Sequence, residues 1–331
     1  MSFIVTQSSL RTWRRCRKQA DYKYVQQLRP RKVERPLAFG SAVHKILEYR
    51  LAGKTTAEAI QELNKKRRPM VFAAELDHWD EIHRDAEAIT NAYMAYWATH
   101  GDKLTPVKIN GQVAEHKFEY DLGQDISLQG VIDVLPQTPD KRVWVMEHKS
   151  RGGRIEDDSV RTRDVQTMLY SRVAEGALGV KRIAGVMWDY LRSKSPTVPH
   201  VLKDGTLSKR AIDTLPSVYE AEIERLGLRR EHYADILGGL DDGLKGWFRR
   251  VVLPTNKDAI NTLVEESLTT GREMKRKLGV DTTRNLTRDC SWCSYEPLCK
   301  AELFGLDASF IRSREYRVDD KAHPELEVEP D

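Results

Sequence analysis

Apolar residues recur at helical spacing over residues 6–27, with Leu10, Trp13 and Tyr24 among the inward positions and Thr6 or Ser8 available as N-cap. The pattern predicts a helix that ends at the break over 29–36. Similar periodicity covers 39–51, 55–66 and 76–99, so the first third of the chain reads as helical. From residue 112 the period shortens to two. QVAEHKFEYDL, ISLQGVIDVLP and RVWVMEHKS are strand-like segments parted by turn formers at 122–124 and 138–140, and together they predict an antiparallel meander. A helix over 159–175 and a strand in IAGVMWDYL follow. Helices near 209–238 and 255–278 then flank a strand in WFRRVVLP.

This order predicts a mixed α/β core rather than a doubly wound parallel sheet. We divide the chain into a helical region with Cys16 and His44 (1–110), a core (111–205), a helical region with the remaining cysteines (206–310) and an acidic tail (311–331). The tail is expected either to be mobile or to pack as an extended arm.

Composition adds limits. With 331 residues and 40% hydrophobic content, the chain suits a soluble globular protein. No window approaches the ~18 apolar residues of a membrane helix, and the start lacks a secretory apolar stretch, so a cytoplasmic location is expected. The net charge is only +4, but residues 11–35 hold Arg11, Arg14, Arg15, Arg17, Lys18, Lys23, Arg29, Arg31, Lys32 and Arg35 against Asp21 and Glu34. Such an arm suits a polyanion, and equally a solvated helix face. Trp79, Tyr93, Tyr96 and Trp97 form an aromatic stripe that fits core packing better than base stacking. Arg192, Lys194 and Lys203 suit either DNA contact or a solvated loop.

Candidate chemistry gathers at the strand ends. Alternation places Val143, Val145, Glu147 and Lys149 on one strand face, with Val131, Asp133 and Leu135 sharing a face of the strand before it. The hairpin length lets Asp133 approach Glu147. Two carboxylates that hold Mg²⁺ or Mn²⁺ beside a lysine meet the needs of phosphodiester hydrolysis, namely an activated water and a countercharge for phosphate. Upstream, His44 in Gly-Ser-Ala-Val-His is a candidate nitrogen ligand. Downstream, Gln166 and Tyr170 are four apart and share a helix face.

The order Gly-x-x-x-His, Gly-Val-Ile-Asp, Glu-His-Lys, Gln-x-x-x-Tyr over residues 40–170 resembles the motif series of RecB-like nucleases in the PD-(D/E)xK superfamily. The resemblance implies a restriction-endonuclease-like core in which His44, Asp133, Glu147 and the backbone carbonyl of His148 bind metal and Lys149 is the catalytic lysine. It also implies that Gln166 and Tyr170 line the cleft, contacting DNA or ordering the site. His148 occupies the variable place of Glu-x-Lys, so its side chain should lie on the opposite face.

Cys16, Cys290, Cys293 and Cys299 are the only cysteines, three of them spaced Cys-x2-Cys-x5-Cys. In a reducing compartment this clustering argues against disulfides, and four thiolates suit zinc or an iron–sulfur cluster alike. A remote N-terminal cysteine with three cysteines after the core resembles the CRISPR-associated RecB-like exonucleases and the AddB-type nuclease subunits. That resemblance implies a 4Fe–4S cluster stapling the two ends of the chain. It further implies an exonuclease acting on single-stranded or frayed DNA ends in recombination, repair, phage DNA processing or CRISPR adaptation. No Walker motif is present, which leaves unwinding to a helicase, recombinase or CRISPR adaptation partner. The alternative is an inactive iron–sulfur DNA-binding protein.

Overall fold

The first helix stops short of its predicted end, for a reason that lies at the far end of the chain. The structure, a computed structural model, describes residues 2–326 apart from 102, 154–164 and 211. Strand β1 (Phe3–Val5) leads into α1 (Gln7–Arg15), where the side chains of Thr6 and Ser9 cap each other's backbone N–H groups. The helix predicted over 6–27 breaks at Cys16, whose backbone is extended (φ −163°, ψ 119°), before α2 (Arg17–Ala20) and a π turn (Asp21–Val25). Segment 283–285 satisfies the polar groups at the break. The Lys18 N–H donates to the Thr283 carbonyl at 3.0 Å, and Asn285 Nδ2 donates to the Arg15 carbonyl at 2.9 Å. Leu10, Trp13 and Tyr24 stay buried on both sides of the break, so apolar periodicity alone cannot reveal it.

After β2 (Leu28–Pro30), α3 (Arg35–Leu51) begins earlier than predicted. Pro36, expected to break the chain, sits in its first turn, where a missing N–H is tolerated. Then come α4 (Thr56–Arg67), opened by a Thr55–Glu58 capping box, and α5 (Leu76–His100). Phe39, Val43 and Ile46 of α3 pack on Ile82, Ala86 and Ile89 of α5. Trp79 and Tyr93 are buried in the same cluster, with Tyr96 and Trp97 packed against it, so the aromatic stripe is core.

Beyond the two-residue β3 (Thr105–Pro106), β4 (His116–Gly123) and β5 (Ile126–Ile132) form the expected hairpin, with β1 added to β5 in parallel. The expected meander ends there. The chain turns a corner through β6 (Pro136–Gln137), and β7 (Val143–Arg151) pairs in parallel with β8 (Ile183–Arg192). A second sheet results, in the order β3-β6-β7-β8-β9, with β9 (Phe248–Pro254) antiparallel to β8. The reason lies in β7 itself: residues 144–148 are all buried, and a strand covered on both faces belongs at the centre of a mixed sheet. The crossover contains α6 (Val165–Gly176); the predicted helix start at Ser159 lies outside the described residues.

One face of this sheet packs Val145, Val186, Trp188 and Tyr190 against Leu169 and Val173 of α6, a cluster that extends to Met274 of a later helix. The α3–α5 pair covers the other face. In place of helix over 209–238 there are two short helices, α7 (Pro216–Arg225) and α8 (Ala234–Gly243), with Gly227 in a left-handed conformation (φ +64°) between them. Next come α9 (Lys257–Lys277), α10 (Glu296–Leu303), α11 (Ala308–Glu315) and β10 (Tyr316–Val318). The last of these pairs antiparallel with β2, so the tail packs as an arm up to residue 326. Arg192 and Lys194 are both committed to Asp213, at 2.9 and 2.7 Å. Among the described residues, no helix is long and apolar enough to cross a membrane.

Gly130 on β5 has no room for a side chain: an added Cβ would lie 2.6 Å from the Phe118 ring and 2.8 Å from the Tyr170 hydroxyl. Gly130→Ala is therefore expected to destabilise the protein by about 1–3 kcal/mol, as overpacked cores do. Urea unfolding measures this, and an unchanged midpoint would show that Phe118 and Tyr170 move aside freely.

Candidate active site

Asp133 follows β5 directly, at the corner where the chain passes from one sheet to the other. Its carbonyl accepts the Glu115 N–H at 2.8 Å, and its Oδ2 accepts the His148 N–H at 2.7 Å. The residue is thereby fastened to the chain leading into β4 and to β7. Glu115 holds a left-handed backbone (φ +52°), an uncommon conformation for a non-glycine residue and one that often marks a functional position.

Across from this corner runs α3. Gly40 lies over the end of β7, where an added Cβ would stand at ordinary contact distance, 3.5 Å, from Ser150 Oγ. One turn later, His44 Nδ1 lies 3.5 Å from Asp133 Oδ1 and 3.7 Å from Glu115 Oε1. His44, Glu115 and Asp133 each offer a ligand atom, all within 4.8 Å of one another, and could hold a metal ion. On β7, Lys149 Nζ donates to Glu147 Oε1 at 2.7 Å, with Val145 anchoring the strand in the core two residues earlier.

Three carboxylates and two bases are thus crowded together, and their protonation reflects it. For Asp133, burial opposes the charge, but His44, the His148 side chain and Lys149 outweigh it and bring the pKa down to about 2. For Glu147, burial and then the Asp133 charge push the pKa up to about 7, against the pull of Lys149. Burial, together with Asp133, also raises Glu115. His44 would be lowered by desolvation, yet Asp133, Glu115 and Glu147 hold it up to about 10. Excess negative charge that raises two acids and protonates a histidine fits a site whose charge a divalent cation would balance.

The His148 side chain is buried, with its Nδ1 3.6 Å from Asp133 Oδ2 and its ring edge-on to both His44 and Tyr93 at 6.2 Å. Behind it, Asp189 pairs in register with His148 and is fully buried. Asp189 Oδ2 accepts the Tyr93 hydroxyl at 2.7 Å and Arg250 Nε at 3.1 Å, and Arg250 lies 4.1 Å above the Trp97 ring.

Of the remaining candidates, Tyr170 is buried and edge-on to Phe118 at 5.0 Å. Gln166 lies in the first turn of α6, and its side chain falls outside the described residues. Cys16, Cys290, Cys293 and Cys299 are free thiols that line one cavity of about 240 Å³ with Arg15, Lys18 and Arg284. Arg284 Nε donates to Cys299 Sγ at 3.3 Å, and burial raises the Cys293 thiol. Periodicity and motif order missed Glu115. Its signal was positional: a residue just ahead of a hairpin strand faces the residue just beyond the partner strand.

In comparison with protein families, residues 4–300 match the one described as the PD-(D/E)XK nuclease superfamily. Comparison with the curated proteins gave no match.

The raised Glu147 pKa has a measurable consequence. The fold favours its protonated form, so the stability linked to that proton is complete below about pH 4.5 and lost as pH rises through about 7. Glu147→Gln mimics the protonated state. Without added metal, it is expected to exceed wild type in stability by up to about 3 kcal/mol at pH 8, with the gap closing towards pH 4.5. Denaturant titrations at both pH values read this, and equal stability at pH 8 would refute the crowding.

Proposed function

Since the chain belongs to the PD-(D/E)XK nuclease superfamily, we propose that it is a RecB-like, divalent-metal-dependent exonuclease of single-stranded DNA ends, working in the reducing cytoplasm. The observation that carries the reading is the meeting of His44, Asp133, Glu147 and Lys149 at the end of β7, drawn from three separate stretches of chain.

Asp133, Glu147, His44 and the His148 carbonyl would hold the cation, with Glu115 as a further carboxylate. When bound, the cation supplies charge stabilisation for the phosphate and makes water easier to deprotonate. Lys149, held on Glu147 at 2.7 Å, orients the attacking water and offsets phosphate charge as the P–O bond to the leaving strand breaks. The Asp133–His148 hydrogen bond fixes the carboxylate against rotation. Gln166 and Tyr170 would order the cleft from α6.

We assign the four cysteines to a 4Fe–4S cluster. Tetrahedral zinc with ~2.3 Å bonds would draw its sulfurs to within ~4 Å of one another. Among the described residues, only His44, Glu115 and Asp133 form a metal-capable trio within 4.8 Å, whereas the cysteines surround a wider cavity. Arg15, Lys18 and Arg284 line that cavity and favour thiolates. The cluster would join the break after α1 to α10 and the chain just before it and act as a staple.

Two experiments test this reading. Wild type should degrade end-labelled single-stranded DNA with Mg²⁺ or Mn²⁺, and Lys149→Ala should lose about 10³-fold or more of the rate with its fold intact. A wild type inert with both metals would point instead to an iron–sulfur DNA-binding protein. After anaerobic purification, metal analysis should find about four irons and four sulfides per chain, and equimolar zinc without iron would remove the cluster.

A further inference from the structure

The two strands that flank β8 turn from apolar to charged at the same end of the sheet. Paired residues on neighbouring strands share a face, so the register divides one face of β7-β8-β9 into rows. Val145, Val186 and Leu253 form the first row. Glu147, Trp188 and Val251 form the second, and α6 lies over it, with Trp188 Nε1 donating to Thr167 Oγ1 at 3.0 Å. The third row is Lys149, Tyr190 and Arg249.

This third row carries a cation at each end. Tyr190 is fully buried between them, whereas Arg249 is exposed and Lys149 partly so. Two strand spacings of about 4.8 Å put the Arg249 backbone about 10 Å from that of Lys149. The next residue of β9 has a different fate. Arg250 points to the opposite face, donates to Asp189 Oδ2 at 3.1 Å and lies 4.1 Å above the Trp97 ring, so it belongs to the scaffold. Alternation thus separates a structural arginine from one that shares the face of the lysine. Val251 and Leu253 pack that face of β9 into the core, and Arg249 is where it emerges.

We propose that Arg249 binds the backbone phosphate next to the scissile one, so that the DNA strand crosses the end of the sheet from β7, over Tyr190, to β9. The proposal rests on the nuclease reading and adds the direction in which the strand runs across the site. Arginine suits the place because its guanidinium offers paired N–H donors to phosphate oxygens, while Lys149 acts at the reacting centre.

The test measures binding of fluorescent single-stranded oligonucleotides by anisotropy, over a range of salt concentrations, in the Lys149→Ala background to prevent cleavage. One phosphate contact on single-stranded DNA contributes about 0.7 to the log–log salt slope, equivalent to about fivefold in affinity between 1 M and 0.1 M salt. Arg249→Gln should therefore weaken binding about fivefold at 0.1 M salt and lower the slope by about 0.7, and Arg249→Lys should restore most of both. Oligonucleotides that carry a single neutral methylphosphonate locate the contact. As the substitution is stepped inward from the bound end, one position should cost the background protein about fivefold and the Arg249→Gln protein nothing, because both changes remove the same contact. Arg225→Gln, on a residue paired with Glu222 on α7, is the control and should change neither affinity nor slope. With Lys149 restored, Arg249→Gln should raise KM about fivefold and keep kcat.

Unchanged affinity and slope in Arg249→Gln, or equal methylphosphonate losses in both proteins at every position, alongside normal wild-type cleavage, would overturn the contact and leave the nuclease reading standing. Failure of the background protein to bind DNA, with no cleavage by wild type, would overturn both.

Discussion

The hydrogen bond from the His148 N–H to the Asp133 carboxylate is the joint on which the site depends. It ties the end of β5 to the middle of β7 across the corner between the two sheets, while the Glu115–Asp133 backbone bond ties in the start of β4. With both in place, the acid is held by main chain rather than by a rotamer. Everything else converges on that point: α3 brings His44 over it, and the alternation of β7 adds Glu147 and Lys149. The arrangement confines several like charges in a buried space, so the site is in tension with the stability of its own scaffold.

That tension explains the weight of structure behind it. The wall beneath His148 is a polar network of Tyr93, Asp189 and Arg250 in which a fully buried carboxylate is matched by a guanidinium over an indole. Such a network tolerates few alternative packings and resists displacement of the strand it supports. The helical layer of α3 and α5 is thus both the cover of one sheet face and the back plate of the candidate site.

Much of this could be read from residue order alone. Gly40 and His44, Asp133, Glu147 and Lys149 each sit in a short local pattern, and the alternation that groups Glu147 with Lys149 is inherent in a strand. Glu115 stayed hidden because its pairing depends on a bulge. The β4–β5 register shifts by one between Asp121 and Gly123, and without that shift Glu115 would face Val134 instead of Asp133. The break at Cys16 was invisible for a different reason: the polar groups that stabilise it come from residues 283–285, beyond the reach of any local pattern. The parallel pairing of β7 with β8 lay between these cases. Its unbroken buried run was in the sequence, but a strand preceded by a hairpin invites a meander.

The pairing of β2 with β10 carries a consequence for how the protein comes into being. Residues 28–30 find their partners only at 316–318, and Arg29 Nη2 reaches further, to the Lys321 carbonyl at 3.0 Å. On a ribosome adding ~5–20 residues per second, the N-terminal segment therefore waits roughly 15–60 s for the strand that completes it. Throughout that interval the basic arm is unlatched. A chain cut short before β10 would carry the whole His44–Asp133–Glu147 corner and no latch, so it is the synthesis of β10 that closes the N-terminal arm.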